Sequence, residues 1–134
     1  MNSKIMPVVD KIVKDSGLIL VEEDFVKEAG KWTLKIFIYN PEKPITHENC
    51  ENVTRKLSEH LDEIITVPYY LEVSSPGIDR KLKSEREYHI FKGKRAKIKL
   101  KTGKIYISEI NDEVIKKYIN NEISYTKLDP EYNL

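Results

Sequence analysis

Two apolar stripes of helical period alternate with apolar runs of strand character over the first 74 residues, and that order restricts the fold more than any other feature. Ile5, Val8, Val9, Ile12 and Val13 recur at the spacing of one helix face, with Ser3 as the expected N-cap and Gly17 as the stop. Pro7 fits this helix only in its first turn, where no intrahelical N–H is needed. "LILVEEDFV" and "WTLKIFIYN" then read as two strands joined across "KEAGK", with Trp32, Leu34, Ile36 and Ile38 on one face of the second. Thr46 is placed to cap a second helix carrying Cys50, Val53, Leu57, Leu61 and Ile64. Pro68 blocks its continuation, and "YYLEV" returns to strand. Helix, strand, strand, helix, strand predicts a two-layer α/β domain with both helices on one face of the sheet.

Downstream the pattern changes. "SERE" at 84–87 matches a capping box, Ser84 to the amide of Glu87 and Glu87 back, so a short helical turn is expected to carry Tyr88 and Phe91. After Gly93 come "KRAKIKLK", a Thr102-Gly103 turn, "KIYISEI", Asn111-Asp112, "EVIKKYI", Asn120-Asn121 and "EISYTKL". Short strands separated by turn pairs predict a small β-barrel. The whole chain therefore reads as α+β, with residues 1–84 as an N-terminal α/β domain and 85–134 as a C-terminal barrel. Charge divides at the same place. Residues 1–84 hold 12 basic and 14 acidic side chains, a net of −2, and residues 85–134 hold 11 and 8, a net of +3. The two halves are expected to meet different partners.

Several function classes are disfavoured. The longest uncharged stretch, Ile64 to Leu71, is far below the roughly 20 residues of a membrane span. Asp10 interrupts the N-terminus before a secretory apolar region can form. The single cysteine, Cys50, has no internal disulfide partner, which points to a reducing cytoplasm. Ser74 and Ser75 invite comparison with a nucleophile elbow, yet neither has a glycine two residues before it. His47, His60 and His89 lie on polar stretches with no fixed relation to those serines, and with one cysteine they supply no local metal framework. A P-loop ending at Gly93-Lys94 would need glycine where Tyr88 stands, and no glycine pair is spaced for a GxxG clamp. No catalytic residue, cofactor or metal site is expected.

Two features remain. From Lys92 to Lys104 there are seven positive charges and no acid. In a strand, Arg95, Lys97, Lys99 and Lys101 fall on one face and Ala96, Ile98 and Leu100 on the other, a row of cations about 7 Å apart. With Lys94 and Lys104 at its ends, such a ribbon could follow RNA phosphates, or could be an edge strand protected against aggregation. The second feature is "LEVSSPGIDRKL" at 71–82, a strand that stops at Ser-Pro-Gly and leaves on a charge pair. Pro76-Gly77 fits the centre of a type II turn, and Asp79 can hold Arg80 or accept turn amides. A stiff hinge between two domains and a phosphate nest are both open on physical grounds.

"YYLEVSSPGIDRKL" closely resembles the signature of the bacterial ribosome maturation factor RimP family, and "PITHENCENVTRKLSEHLDE" resembles that family's second helix. The likeness covers essentially the whole chain, strongly to about Leu82 and weakly beyond. It implies an N-terminal α/β domain, a C-terminal SH3-like barrel and a non-enzymatic role in assembling the small (30S) ribosomal subunit. The implied partners are 30S precursors, the small-subunit ribosomal protein numbered twelve, and 16S rRNA, met in the cytoplasm by a monomer without membrane contact. The matching positions are Leu71, Glu72, Val73, Ser74, Ser75, Pro76, Gly77, Asp79, Arg80 and Leu82. Lys81 stands where the family usually has proline, and the segment between the first two barrel strands is shorter than is usual there. "ISYTKLDPEYN" is similar to the family's closing strand and tail.

A mechanism without bond chemistry follows: one domain holds a basic ribosomal protein while the Lys ribbon steers towards rRNA, raising their effective concentration. The acids Glu22, Glu23 and Asp24 are the candidate attractant surface. A general RNA chaperone acting through the basic strand is the competing reading.

Overall fold

The computed structural model describes residues 2–130. It divides into two compact units, Met1–Pro76 and Gly77–Leu134. The division falls at Pro76–Gly77, eight residues before the boundary drawn from the change in pattern and charge.

In the first unit, α1 (Asn2–Asp15) and α2 (His47–Leu61) cover a sheet of β1 (Ile19–Glu28), β2 (Lys31–Tyr39) and β3 (Tyr69–Ser74), in the order β1-β2-β3. β1 and β2 are an antiparallel hairpin, and β3 lies parallel to β2 after a crossover through α2. Ile5, Val9, Ile12 and Val13 from α1 and Val53, Leu57 and Leu61 from α2 are buried with Leu34, Ile36 and Ile38 of β2, the stripes expected from their spacing. The expected two-layer arrangement is thus formed. Thr46 caps α2 as foreseen, its hydroxyl accepting from the Asn49 amide while Asn49 Oδ1 accepts from the Thr46 amide.

Three local expectations need correction. α1 already runs from Asn2, so Ser3 is inside the helix and Pro7 sits beyond the first turn, where its missing N–H leaves a ladder bond unmade. The hairpin turn is two residues, Ala29-Gly30, with φ of +50° and +78°, the left-handed pair that matches strand twist. The third concerns "EVIKKYI", expected as a strand: it is helix α4 (Asp112–Ile119). Asn111 is its N-cap rather than a hairpin turn, accepting from the Val114 amide, and acids in the first turn and lysines in the last suit the helix dipole.

The second unit has α3 (Glu85–Ile90) and α4 with β4 (Arg95–Leu100), β5 (Ile105–Glu109) and β6 (Ile123–Leu128). Its sheet order is β5-β4-β6, both pairings antiparallel. Both outer strands pair with β4 and not with each other, so the described residues form an open sheet and not a closed barrel. Ala96, Ile98, Thr126 and Leu128 are buried on one side with Tyr88 and Phe91, and the Tyr88 hydroxyl lies 2.6 Å from Thr126 Oγ1. The end of the expected closing tail, 131–134, lies outside the described residues. Among the described residues no helix is long and apolar enough to cross a membrane.

Candidate functional site

β3 alternates half-buried Tyr69, Leu71 and Val73, packed on the first unit's core, with exposed Tyr70, Glu72 and Ser74. The strand ends at Ser74, leaving Ser74 and Ser75 exposed. The turn that follows is not the expected type II turn centred on Pro76-Gly77, because Gly77 does not take a positive φ. The reversal instead spans Gly77 to Arg80, closed by the Arg80 amide donating to the Gly77 carbonyl at 3.2 Å. The bare backbone at Gly77 instead leaves room for the exposed side chain of Asp79. A Cβ there would stand 2.9 Å from Asp79 Oδ1, so the aspartate folds back over bare backbone.

Past the turn, the motif is stitched into the second unit. The Leu82 amide donates to the Thr126 carbonyl and the Leu128 amide to the Arg80 carbonyl, each at 2.9 Å, and Lys81 bridges Lys127. Arg80 and Leu82 are buried, and Arg80 Nε donates to Glu87 Oε1 at 2.7 Å. Glu87 therefore spends its carboxylate on Arg80, while Ser84 Oγ still accepts from the Glu87 amide. The sequence offers Asp79 as a partner for Arg80 or for the turn amides, and places Glu87 in the helix cap. A lone acid in a capping position gives no sign of a partner seven residues upstream.

β4 takes the expected alternation from Arg95 to Lys99, but Lys101 does not continue the row. Ala96 and Ile98 are fully buried while Lys97 is exposed and Arg95 and Lys99 are half-buried on the outer face of β4. Lys101 leaves the strand to donate to Asn121 Oδ1, and Lys104 is exposed at the hairpin turn. Lys94 lies before β4, where its carbonyl accepts from the Ile110 amide. The outer face also carries what charge counting overlooked. Ile107 and Lys127 flank Lys97, and Ile105 and Tyr125 flank Lys99.

The three acids of the candidate attractant surface are not brought together. Strand alternation puts Glu22 and Asp24 on the sheet face away from the helices, opposite Phe37 and Lys35, whereas Glu23 lies opposite Ile36 on the helix side. There Glu23 borders a shallow cleft with Ser3, Met6, Pro7 and Asp10, its carboxyl pushed above the ordinary value first by burial and then by Asp24. On the open face a different partner joins: Glu72 of β3 lies beside Lys35, which also bonds Glu28 at 2.7 Å. Asp24, Glu28 and Glu72 thus surround Lys35, with Glu22 farther along β1 on the same face, and the Lys35 ammonium is held above its ordinary pKa by the Glu28 hydrogen bond and by the charges of Glu28, Glu72 and Asp24, against some desolvation. Glu72 was visible in the sequence only as part of the turn motif.

The residues weighed for catalysis are scattered. His47 and His60 are exposed at opposite ends of α2 and His89 is exposed on α3, and Cys50 is half-buried against the first core, its thiol pushed up by burial. Among the described residues no three or more His, Cys, Asp or Glu side chains are gathered to hold a metal ion.

Residues 8–79 match the RimP N-terminal domain. The match spans more than half of the 134 residues and takes in α1 from Val8 onward, all of α2, all three strands of the first sheet, and the motif as far as Asp79. With a two-layer α/β unit whose last strand runs into the Ser-Ser-Pro-Gly turn, this chain belongs to the RimP family of ribosome maturation factors.

Proposed function

We propose that the chain acts without catalysis in maturation of the 30S subunit, in the cytoplasm and as a monomer. Its first unit holds the small-subunit ribosomal protein numbered twelve, and its second unit, a reduced relative of SH3-like barrels, contacts 16S rRNA through Lys94, Arg95, Lys97, Lys99, Lys101 and Lys104. The observation that carries the reading is the family match over residues 8–79. The charge layout supports the division of labour. Acids crowd the open face of the first sheet, a suitable counterpart for a basic protein, while the outer face of β4 presents cations. Holding two components on one chain raises their effective concentration without any covalent step.

Sedimentation of the full chain with free small subunits, assembled ribosomes and naked 16S rRNA across a salt series tests this. Retention on free small subunits and not on assembled ribosomes is expected. Equal retention on every RNA, lost together at moderate salt, overturns it in favour of a general RNA chaperone.

A further inference from the structure

Ile105 and Ile107 are each 49% exposed on β5, two residues apart on one face of an edge strand. Exposed apolar side chains are ordinary when scattered, but two large β-branched ones side by side on a sheet face form the start of a contact surface. Their neighbours define its chemistry. In the central strand Lys97 stands opposite Ile107 and Lys99 opposite Ile105, and on the far side Lys127 and Tyr125 complete the two rows. Directly paired residues project to the same side of a sheet, so these six form one face, behind which Ala96, Ile98 and Thr126 are buried. Lys81, bridged to Lys127, places its ammonium 5.1 Å from the centre of the Tyr125 ring. The face carries a row of cations between an aliphatic border and an aromatic one.

We infer that this face of the second sheet binds single-stranded RNA, with unpaired bases against Ile105, Ile107 and Tyr125 and phosphates along Lys97, Lys99 and Lys127. The inference rests on the RNA contact proposed above and sharpens it to a class of RNA. Lysines alone would follow any phosphate backbone, duplex or not. A duplex, however, keeps its base faces stacked inside and gives apolar side chains nothing to cover, whereas a single strand offers them. Charge selects nucleic acid over an acidic peptide. Lys81, Lys97, Lys99 and Lys127 are adjacent on the face with no acid among them, and the acids Glu109 and Asp129 stand at the far end, on either side of Arg95. A polyanion with one charge per residue matches that run.

The test is fluorescence anisotropy of the full chain with a short single-stranded RNA, a duplex of equal phosphate count and an acidic peptide of alternating Glu and Leu, each over a salt series. The wild-type chain should favour the single strand. Ile105→Ser with Ile107→Ser, both at exposed positions, should weaken single-strand binding about tenfold and leave the salt slope unchanged. Lys97→Gln with Lys99→Gln should instead lower the slope by about two. Equal binding of single strand and duplex, indifferent to the isoleucines, overturns the inference and leaves the phosphate contact standing. Absence of binding to either RNA at low salt, while free small subunits still retain the protein, overturns the RNA contact itself. Tighter binding of the acidic peptide, lost in the isoleucine variant, assigns the face to a protein and overturns the inference as well.

Discussion

Arg80 donates from Nε to Glu87 Oε1 at 2.7 Å, with the two side chains only 7% and 4% exposed. This pair fixes the exit of the motif to the start of α3 inside the second unit. Removing one partner of a buried pair strands the other charge, at a cost of about 3–5 kcal/mol, whereas replacing both by apolar groups of similar volume is often neutral. Glu87→Ala is therefore expected to destabilise strongly in urea unfolding, and Arg80→Met with Glu87→Leu to recover most of that loss. A double variant whose cost is the sum of the two single ones would show that the residues act independently.

Gly77 and Asp79 are coupled by space rather than charge. A methyl group at 77 would meet Asp79 Oδ1 at 2.9 Å, closer than real Cβ contacts. Because that oxygen ends a flexible, exposed side chain, Gly77→Ala is expected to cost less than about 0.5 kcal/mol. In an Asp79→Ala background the obstacle is gone, and the same substitution should be close to neutral. Thermal unfolding of the four combinations measures the coupling.

What was legible in the sequence was whatever periodicity carries. The stripes of α1 and α2, the inward row Leu34, Ile36, Ile38 and the alternation of β4 all follow from spacing. α4 was misread because Asn111-Asp112 and Asn120-Asn121 resemble hairpin turns. Yet Val114, Ile115 and Tyr118 are spaced for a helix, and Asn111 is a good N-cap. The sites depended on register, which spacing does not supply. Glu23 could be separated from Glu22 and Asp24 by alternation alone, but Glu72 could join them only once β3 was known to lie parallel to β2. The pairing of Ile105 and Ile107 with the lysines likewise awaited the β4–β5 register.

Ala29 holds φ at +50° in the β1–β2 turn, a region that costs an L-residue with a Cβ roughly 1 kcal/mol. Glycine and asparagine adopt it more easily, and Asn-Gly is a favoured pair for this two-residue turn. Ala29→Asn is expected to raise stability by about 0.5–1 kcal/mol without changing any binding property. Denaturant midpoints with an unchanged m-value would establish it.

Glu23 gives a pH signature. Burial and the nearby Asp24 charge raise its carboxyl above 4.5, and its Oε2 is buried with no hydrogen-bond partner among the described residues. An acid whose folded pKa is raised binds its proton more tightly in the folded state. Its contribution is fully favourable below the unfolded value and is lost as pH rises through the folded one. At neutral pH the charged form therefore weakens the fold. Glu23→Gln should raise the melting temperature at pH 7, and this gain should shrink as the pH falls to 4.5 and below. A gain that stays constant with pH would point to packing instead of charge.

The open face of the first sheet separates two versions of the attractant idea. If net charge alone draws in a basic ribosomal protein, then neutralising any three acids of this unit has the same effect. If the sheet face is the docking surface, position matters: Glu22, Asp24 and Glu72 share that face with Lys35, while Glu23 lies on the other. Glu22→Gln, Asp24→Asn and Glu72→Gln together are expected to weaken binding of the small-subunit ribosomal protein numbered twelve by about tenfold at low salt, chiefly through the association rate. Glu59→Gln with Glu63→Gln and Glu23→Gln, equal in charge removed but off the face, should change it far less. Stopped-flow association rates at low salt distinguish the two, and raising the salt should shrink both effects, as expected of screened charges. Identical rates for the two triple variants would reduce the acidic face to general electrostatics.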